Sequence, residues 1–217
     1  VVCEASLAEI ARKICLQEYL LLGHGEELSG GREKPSIQAD AFESLLAAIY
    51  LDGGFQSVTD VLLRRLGMEN YIKNVFEALE TEYPTVDFYA WDVVNEAWLD
   101  DGTPRKGGGQ SENPNYSGWV KVFGDNSFIE PAFEYARKYA PEGCKLYYND
   151  FNEYMPDKTN AIVNMANELK EKGLIDGIGM QSHLDVGFPS ASAYKKALKA
   201  FVDTGLDIQV TELDITT

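Results

Sequence analysis

The chain is short of cysteine, of positive charge and of long apolar runs, and each shortage excludes something. Its three cysteines, Cys3, Cys15 and Cys144, are an odd number with no C-x-x-C spacing. That excludes a disulfide framework and a cysteine-built zinc site, and leaves buried free thiols as the expectation. No apolar run reaches the ~20 residues needed to cross a bilayer, so no membrane partner is expected. Val1-Val2-Cys3-Glu4 lacks the basic start and apolar core of a signal peptide, although a removed leader would leave no trace. Lys and Arg number 19 against 35 Asp and Glu, for a net charge of −16. Residues 1–68 hold 6 basic and 10 acidic side chains, and residues 69–217 hold 13 and 25. Phosphate backbones are gripped by Lys and Arg, so the balance argues against nucleic acid as the partner of the larger segment. It suits a neutral polysaccharide, and equally ordinary solubility.

What is present is globular: hydrophobic content is 45% and charged content 25%. The pattern changes near Met68. Before it, Leu7, Ile10, Ala11 and Ile14 share one helical face across Ala5–Ile14. A glycine-rich loop from Gly23 to Pro35 follows, with His24 as an exposed loop residue. Ser36 is placed to cap a helix that runs to Leu51 and stops at Asp52-Gly53-Gly54, and another helix is expected over Ser57–Leu66. Beyond Met68, a helix over Glu69–Glu82 leads to an apolar stretch from Phe88 to Val94. Three more helix-then-strand units follow, with strands at Lys145–Asn149, Ile175–Gln181 and Leu206–Thr211. That alternation indicates a parallel α/β sheet of about four units behind a small all-α segment. Gly102–Tyr116 is a long loop after the first strand, a length that is often functional.

Polar residues gather at each strand's C-terminal end: Asn95 and Glu96, Asn149 and Asp150, Gln181 and His183, Glu212 and Asp214. Parallel barrels assemble their sites there. A solvated strand end explains one such pair, but four in succession favour function. A lone Trp in a strand, such as Trp91, reads as core or pocket wall.

The strings Trp91-Asp-Val-Val-Asn-Glu96, Leu146-Tyr-Tyr-Asn-Asp150, Gly179-Met-Gln-Ser-His183-Leu and Val210-Thr-Glu-Leu-Asp214 occur in one order. Together they make residues 68–217 resemble strands four to seven of a glycoside hydrolase family 10 endo-1,4-β-xylanase, whose fold is a (β/α)₈ barrel. The resemblance implies that Glu96 is the acid/base and Glu212 the nucleophile of a retaining mechanism without a cofactor. It implies that Asn95 binds the sugar 2-hydroxyl, that His183 and Asp214 orient Glu212, that Gln181 lines the same subsite, and that Asn149 supports them. The partner would be xylan or a xylo-oligosaccharide. Strands one to three and the last strand of that barrel have no counterpart, so part of the substrate cleft and its activity are expected to suffer. Open sheet edges invite pairing, which raises the expectation of a homodimer.

Residues 1–67 carry a different resemblance. Gly25-Glu-Glu-Leu-Ser-Gly-Gly-Arg-Glu-Lys-Pro-Ser36, Asp40-Ala-Phe-Glu43 and Tyr50-Leu-Asp-Gly-Gly54 are similar to the later part of a bacterial ribonuclease III nuclease domain. By spacing alone Asp40 and Glu43 are a solvated helix face; the resemblance implies that they are Mg²⁺ ligands. The family's other acidic helix and its double-stranded-RNA-binding domain are absent, so ribonuclease activity is not expected. The chain thus reads as a chimera of 1–67 and 68–217. Three functions stay open: a xylanase-type hydrolase, a ribonuclease III-like fragment, and a non-catalytic engineered fusion. Secretion would go with the first, and the cytoplasm with the second.

Overall fold

A computed structural model of the chain describes residues 4–108 and 113–216. It divides into two compact units, Val1–Leu62 and Leu63–Thr217. Cys3 lies outside the described residues, as do residues 109–112 of the long loop.

In the first unit, α1 (Glu4–Lys13) packs on α3 (Pro35–Thr59). Leu7, Ala8 and Ala11 of α1 and Ala39 and Phe42 of α3 are buried. Small alanines let the two helices approach closely, while Ile14 falls beyond the helix end and is exposed. Arg12 Nε donates to Gln38 Oε1 at 2.9 Å, and Gln38 in turn donates to the Arg32 carbonyl at 2.7 Å. Three sequence expectations change here. The Gly23–Pro35 stretch is not all loop, since α2 (His24–Leu28) begins at His24, which is exposed. The cap of α3 is Lys34 rather than Ser36, because Pro35 occupies the first helical position, where its fixed φ and missing N–H cost nothing. And α3 does not stop at Gly53-Gly54: it kinks there, with Gly54 at φ 72°, and resumes to Thr59. Gly54 adopts a left-handed conformation open to few other residues. A π-helical stretch, Asp60–Gly67, stands where an α-helix was expected. Cys15 is exposed, against the expectation of a buried thiol, whereas Cys144 is buried and its thiol pKa is pushed up by that burial.

The second unit is built on four parallel strands. They are β1 (Ala90–Asn95), β2 (Lys145–Asp150), β3 (Gly177–Met180) and β5 (Asp207–Val210), hydrogen-bonded in the order β1-β2-β3-β5. All four fall within the sequence-expected stretches or within a residue of them. Right-handed crossovers require a helix between parallel neighbours, and the helices are α6 (Ile129–Tyr139), α7 (Pro156–Glu171) and α8 (Ala191–Asp203). Helix α4 (Met68–Glu82) precedes β1, and a short α5 (Gly118–Phe123), capped by the Ser117 hydroxyl, follows the long loop. A second two-stranded parallel sheet was not foreseen: β4 (His183–Asp185) pairs with β6 (Asp214–Thr216), His183 opposite Asp214. Three-residue strands are too short to leave a periodic pattern.

Burial follows position in the sheet. In central β2, Leu146 to Asp150 are all buried, and so is the whole of β3, while edge strands β1 and β5 are half-exposed. Phe133, Ile162 and Phe201, from three different helices, are fully buried against the sheet, each stabilising the unit by about 1.5–3 kcal/mol. Trp91 packs on Phe76, ring centres 5.1 Å apart, as a core residue. No helix among the described residues is long and apolar enough to cross a membrane.

Candidate active site

The four parallel strands point the same way, so their C-terminal ends form one surface. Asn95 closes β1 and Glu96 follows it. Asn149 sits at the end of β2, Gln181 just beyond β3, and Glu212 just beyond β5. A chain of hydrogen bonds joins them. Gln181 Nε2 donates to Glu96 Oε1 and to Asn95 Oδ1, both at 3.1 Å. Asn149 Nδ2 donates to the same Asn95 oxygen at 3.0 Å and to Glu212 Oε1 at 2.9 Å. Thr211 Oγ1 donates to Asn149 Oδ1 at 2.7 Å, which fixes the Asn149 amide so that its nitrogen faces Glu212. The two carboxylates are therefore held at opposite ends of one network of three amide side chains.

Glycines make that network fit. A side chain at Gly179 of β3 would collide with Asn149, and one at Gly177 would collide with the Tyr147 ring. The absence of both leaves room for the central strand's large polar groups.

Backbone geometry is special at two site positions. Glu96 lies at φ 54°, a left-handed conformation that costs a non-glycine residue about 1–2 kcal/mol. Such strain persists only where the surroundings over-determine it. Here the Glu96 N–H donates to the Asn149 carbonyl at 2.9 Å, and the Ala97 N–H donates to the Tyr148 hydroxyl at 3.0 Å. Ser182, between Gln181 and His183, is also left-handed at φ 60° and fully buried. Its hydroxyl meets Glu153 Oε1 at 3.2 Å and Tyr194 OH at 2.7 Å.

Around Glu212 the charges alternate. His183 Nε2 lies 3.4 Å from Glu212 Oε2, and its Nδ1 is 2.9 Å from Asp214 Oδ1. The hydrogen bond to Asp214, helped by the charges of Asp214 and Glu212, holds the imidazole pKa above its ordinary value against a smaller effect of desolvation. Asp92, lower on β1, has its carboxyl pKa pushed up, first by desolvation and then by the negative charge of Glu212.

Glu96 has a cation of its own. Arg105 Nη2 lies 3.1 Å from Glu96 Oε2, its Nε donates to the Glu96 carbonyl, and its Nη1 donates to the Pro114 carbonyl at 2.5 Å. Two clefts, of about 420 and 550 Å³, meet at Glu96 and Arg105. Tyr71, Tyr116 and Trp119 line the first, and Trp98 and Phe151 line the second.

The structure thus brings together seven of the eight strand-end residues singled out in the sequence, while Asp150 is buried and paired with Lys158 at 2.8 Å. Arg105, Thr211 and Asp92 were missed. Arg105 lies in a loop of weak pattern, and a single arginine there carries no sequence signal. Asp92 could have been found, since it shares the Trp91–Glu96 string. Asp40 and Glu43 are exposed on α3, and among the described residues no three His, Cys, Asp or Glu side chains are grouped to hold a metal ion. Two carboxylates alone leave most of the six oxygen positions of a Mg²⁺ ion to water or substrate phosphates.

Comparison with known proteins finds two families along the chain. The family model for glycosyl hydrolase family 10 matches residues 54–217, and that for the ribonuclease-III-like family matches residues 1–69. A bifunctional endo-1,4-beta-xylanase XylA of Ruminococcus flavefaciens is 55% identical over 157 residues, 72% of this chain and 16% of the relative. Endo-1,4-beta-xylanase Y of Acetivibrio thermocellus is 47% identical over 175 residues, 77% of this chain and again 16% of the relative. Among solved structures, the CBM22-1-GH10 modules of xylanase 10B from Clostridium thermocellum, complexed with xylohexaose, match with a TM-score of 0.64 at 47% identity. That match covers 69% of this chain and 30% of the other. The intracellular xylanase TsXylA of Thermoanaerobacterium saccharolyticum matches at TM-score 0.60 and 35% identity, covering 73% and 45%. The chain therefore spans less than half the length of these relatives.

Proposed function

Because the chain belongs to glycosyl hydrolase family 10 over residues 54–217, we propose that the strand-end cluster is the catalytic centre of a retaining endo-1,4-β-xylanase-type hydrolase. The observation that carries this reading is the unbroken hydrogen-bond path Glu96–Gln181–Asn95–Asn149–Glu212. Retaining glycosidases need two carboxyl groups about 5–5.5 Å apart across the scissile bond, and such a path keeps two carboxylates near each other in a fixed relation.

In this mechanism Glu212 attacks the anomeric carbon while Glu96 gives its proton to the departing glycosidic oxygen. Glu96 then takes a proton from water, and that water displaces Glu212 from the sugar. Asn149 and His183, both touching Glu212, orient its two oxygens separately, and Asp214 holds the imidazole. Asn95 uses its carbonyl oxygen for Gln181 and Asn149, so its NH₂ is the donor for the sugar 2-hydroxyl. The substrate is xylan or a xylo-oligosaccharide, and no cofactor takes part. Pairing of two copies through the edges of β1 and β5 belongs to the same proposal; a clean monomer in sedimentation would exclude it.

The test is hydrolysis of an aryl β-xylobioside by the folded chain, lost in Glu212→Ala. A folded sample that turns nothing over would sink the reading and leave a non-catalytic fusion. The family match of residues 1–69 supports a second reading, ribonuclease III-type cleavage by the first unit. Asp40 and Glu43 give it only part of a metal site, so cleavage of double-stranded RNA with Mg²⁺, abolished in Glu43→Gln, is the result that would support it.

A further inference from the structure

We infer that Arg105 is the positioning residue that sets the carboxylate of Glu96 in its working place. The inference rests on the hydrolase reading for its chemistry, but on geometry for its substance. One guanidinium grips a single residue twice, by its backbone carbonyl and by its side-chain Oε2, at 3.1 Å for the latter. The remaining arm reaches the Pro114 carbonyl at 2.5 Å. Arginine is suited to this, because its donors form a rigid planar fork that lysine cannot copy.

Three features show why Glu96 needs such a grip. Its backbone is left-handed at φ 54°, so its carbonyl points away from the direction a regular strand would give it. The Arg105 Nε bond satisfies that displaced carbonyl. Among the described residues the Glu96 side chain is otherwise held only at Oε1, by Gln181 at 3.1 Å; Arg105 takes the other oxygen and so removes rotation about the last side-chain bond. Finally, Arg105 is itself braced. Its side chain is 12% exposed, it lies over the Phe151 ring at 6.0 Å, and its N–H donates to the Ala97 carbonyl at 3.3 Å. Charged groups near this end of the sheet include Arg105, Asp100 and Asp101 from the loop after β1, His183 after β3, and Glu212 and Asp214 after β5. Of these, Arg105 is the one bonded to Glu96.

A merely structural arginine and a positioning one differ in what their loss does. General acid help matters when the leaving group is basic and little when it departs unaided. Arg105→Met and Arg105→Lys are therefore compared with the parent on two aryl β-xylobiosides, one with a 2,4-dinitrophenyl and one with an unsubstituted phenyl leaving group. The expected result is that Arg105→Met loses about tenfold or more in kcat/KM, which reads the leaving-group step alone, on the phenyl substrate beyond its loss on the dinitrophenyl one. Arg105→Lys should recover part of that difference. Equal losses on both substrates, or no loss, overturn the inference.

A second measurement needs no turnover. The side-chain amide of Gln181 bonds Glu96 directly, so its NMR resonances report where that carboxylate is. Arg105→Met should move them toward their position in Glu96→Ala, with backbone amides of β2 and β3 unmoved. Unmoved Gln181 resonances overturn the inference. A folded parent that hydrolyses neither substrate sinks the hydrolase reading instead, and the Gln181 comparison still decides the role of Arg105.

Discussion

A Cβ added at Gly179 would stand 2.4 Å from Asn149 Oδ1 and 3.0 Å from the Thr211 methyl. Gly179 on β3 therefore sets where Asn149 on β2 can aim, and through it the bond to Glu212. Gly179→Ala is expected to push Asn149 off its Thr211 and Glu212 partners, at a cost of about 1–3 kcal/mol from overpacking. Thermal unfolding should show the loss of stability, and aryl xylobioside hydrolysis should fall further than stability alone explains. Full activity in a folded Gly179→Ala protein would show that the Asn149–Glu212 bond is dispensable.

His183 and Asp214 give a pH signature. Because the folded state raises the imidazole pKa, it binds the proton more tightly than the unfolded chain does. The resulting stability is complete below the ordinary histidine value of about 6.5 and is lost as pH climbs through the raised one. NMR titration should place the His183 midpoint above the ordinary histidine value of about 6.5. Asp214→Asn should lower the His183 midpoint; a midpoint indifferent to that change would contradict the assigned cause.

Asp92 has the opposite consequence. Its folded pKa is raised by desolvation and by Glu212, so the native state holds the proton longer. Its contribution to stability declines as pH rises from the unfolded value of about 3.9 through the raised one, and at neutral pH the full cost of the charge is present. Asp92→Asn should therefore unfold at a higher temperature than the parent at pH 7, with the gain shrinking toward pH 4. A variant that is destabilised at pH 7 would count against this.

Beneath the site, Lys158 is fully buried and lies 2.8 Å from the buried Asp150, over the Phe151 ring at 4.1 Å. Burial raises the Asp150 pKa more than Lys158, Tyr148 and the Phe151 N–H lower it. Lys158→Met strands that carboxylate and is expected to cost about 3–5 kcal/mol in chemical denaturation. Adding Asp150→Asn should restore part of the loss, since no buried charge is then left alone. A double variant no better than Lys158→Met would refute the pairing.

Much of this was legible in sequence. The four parallel strands could be read because helix-then-strand alternation repeats, and buried strands write continuous apolar runs such as Leu146-Tyr147-Tyr148. The strand-end residues could be read because a parallel sheet sends every C-terminal end to one side, so that order along the chain becomes proximity in space. Local pattern failed where local rules compete. Pro35 displaced Ser36 as the start of α3, and Gly54 bent a helix that its sequence seemed to end. Tertiary structure alone decided the rest. The left-handed turn at Glu96, the β4–β6 pairing that sets His183 beside Asp214, the room Gly179 leaves for Asn149 and the grip of Arg105 are all non-local. Each depends on atoms from segments separated along the chain meeting within a few ångströms. Residue types by themselves specified which chemistry was on offer; only packing specified which oxygen each donor would hold.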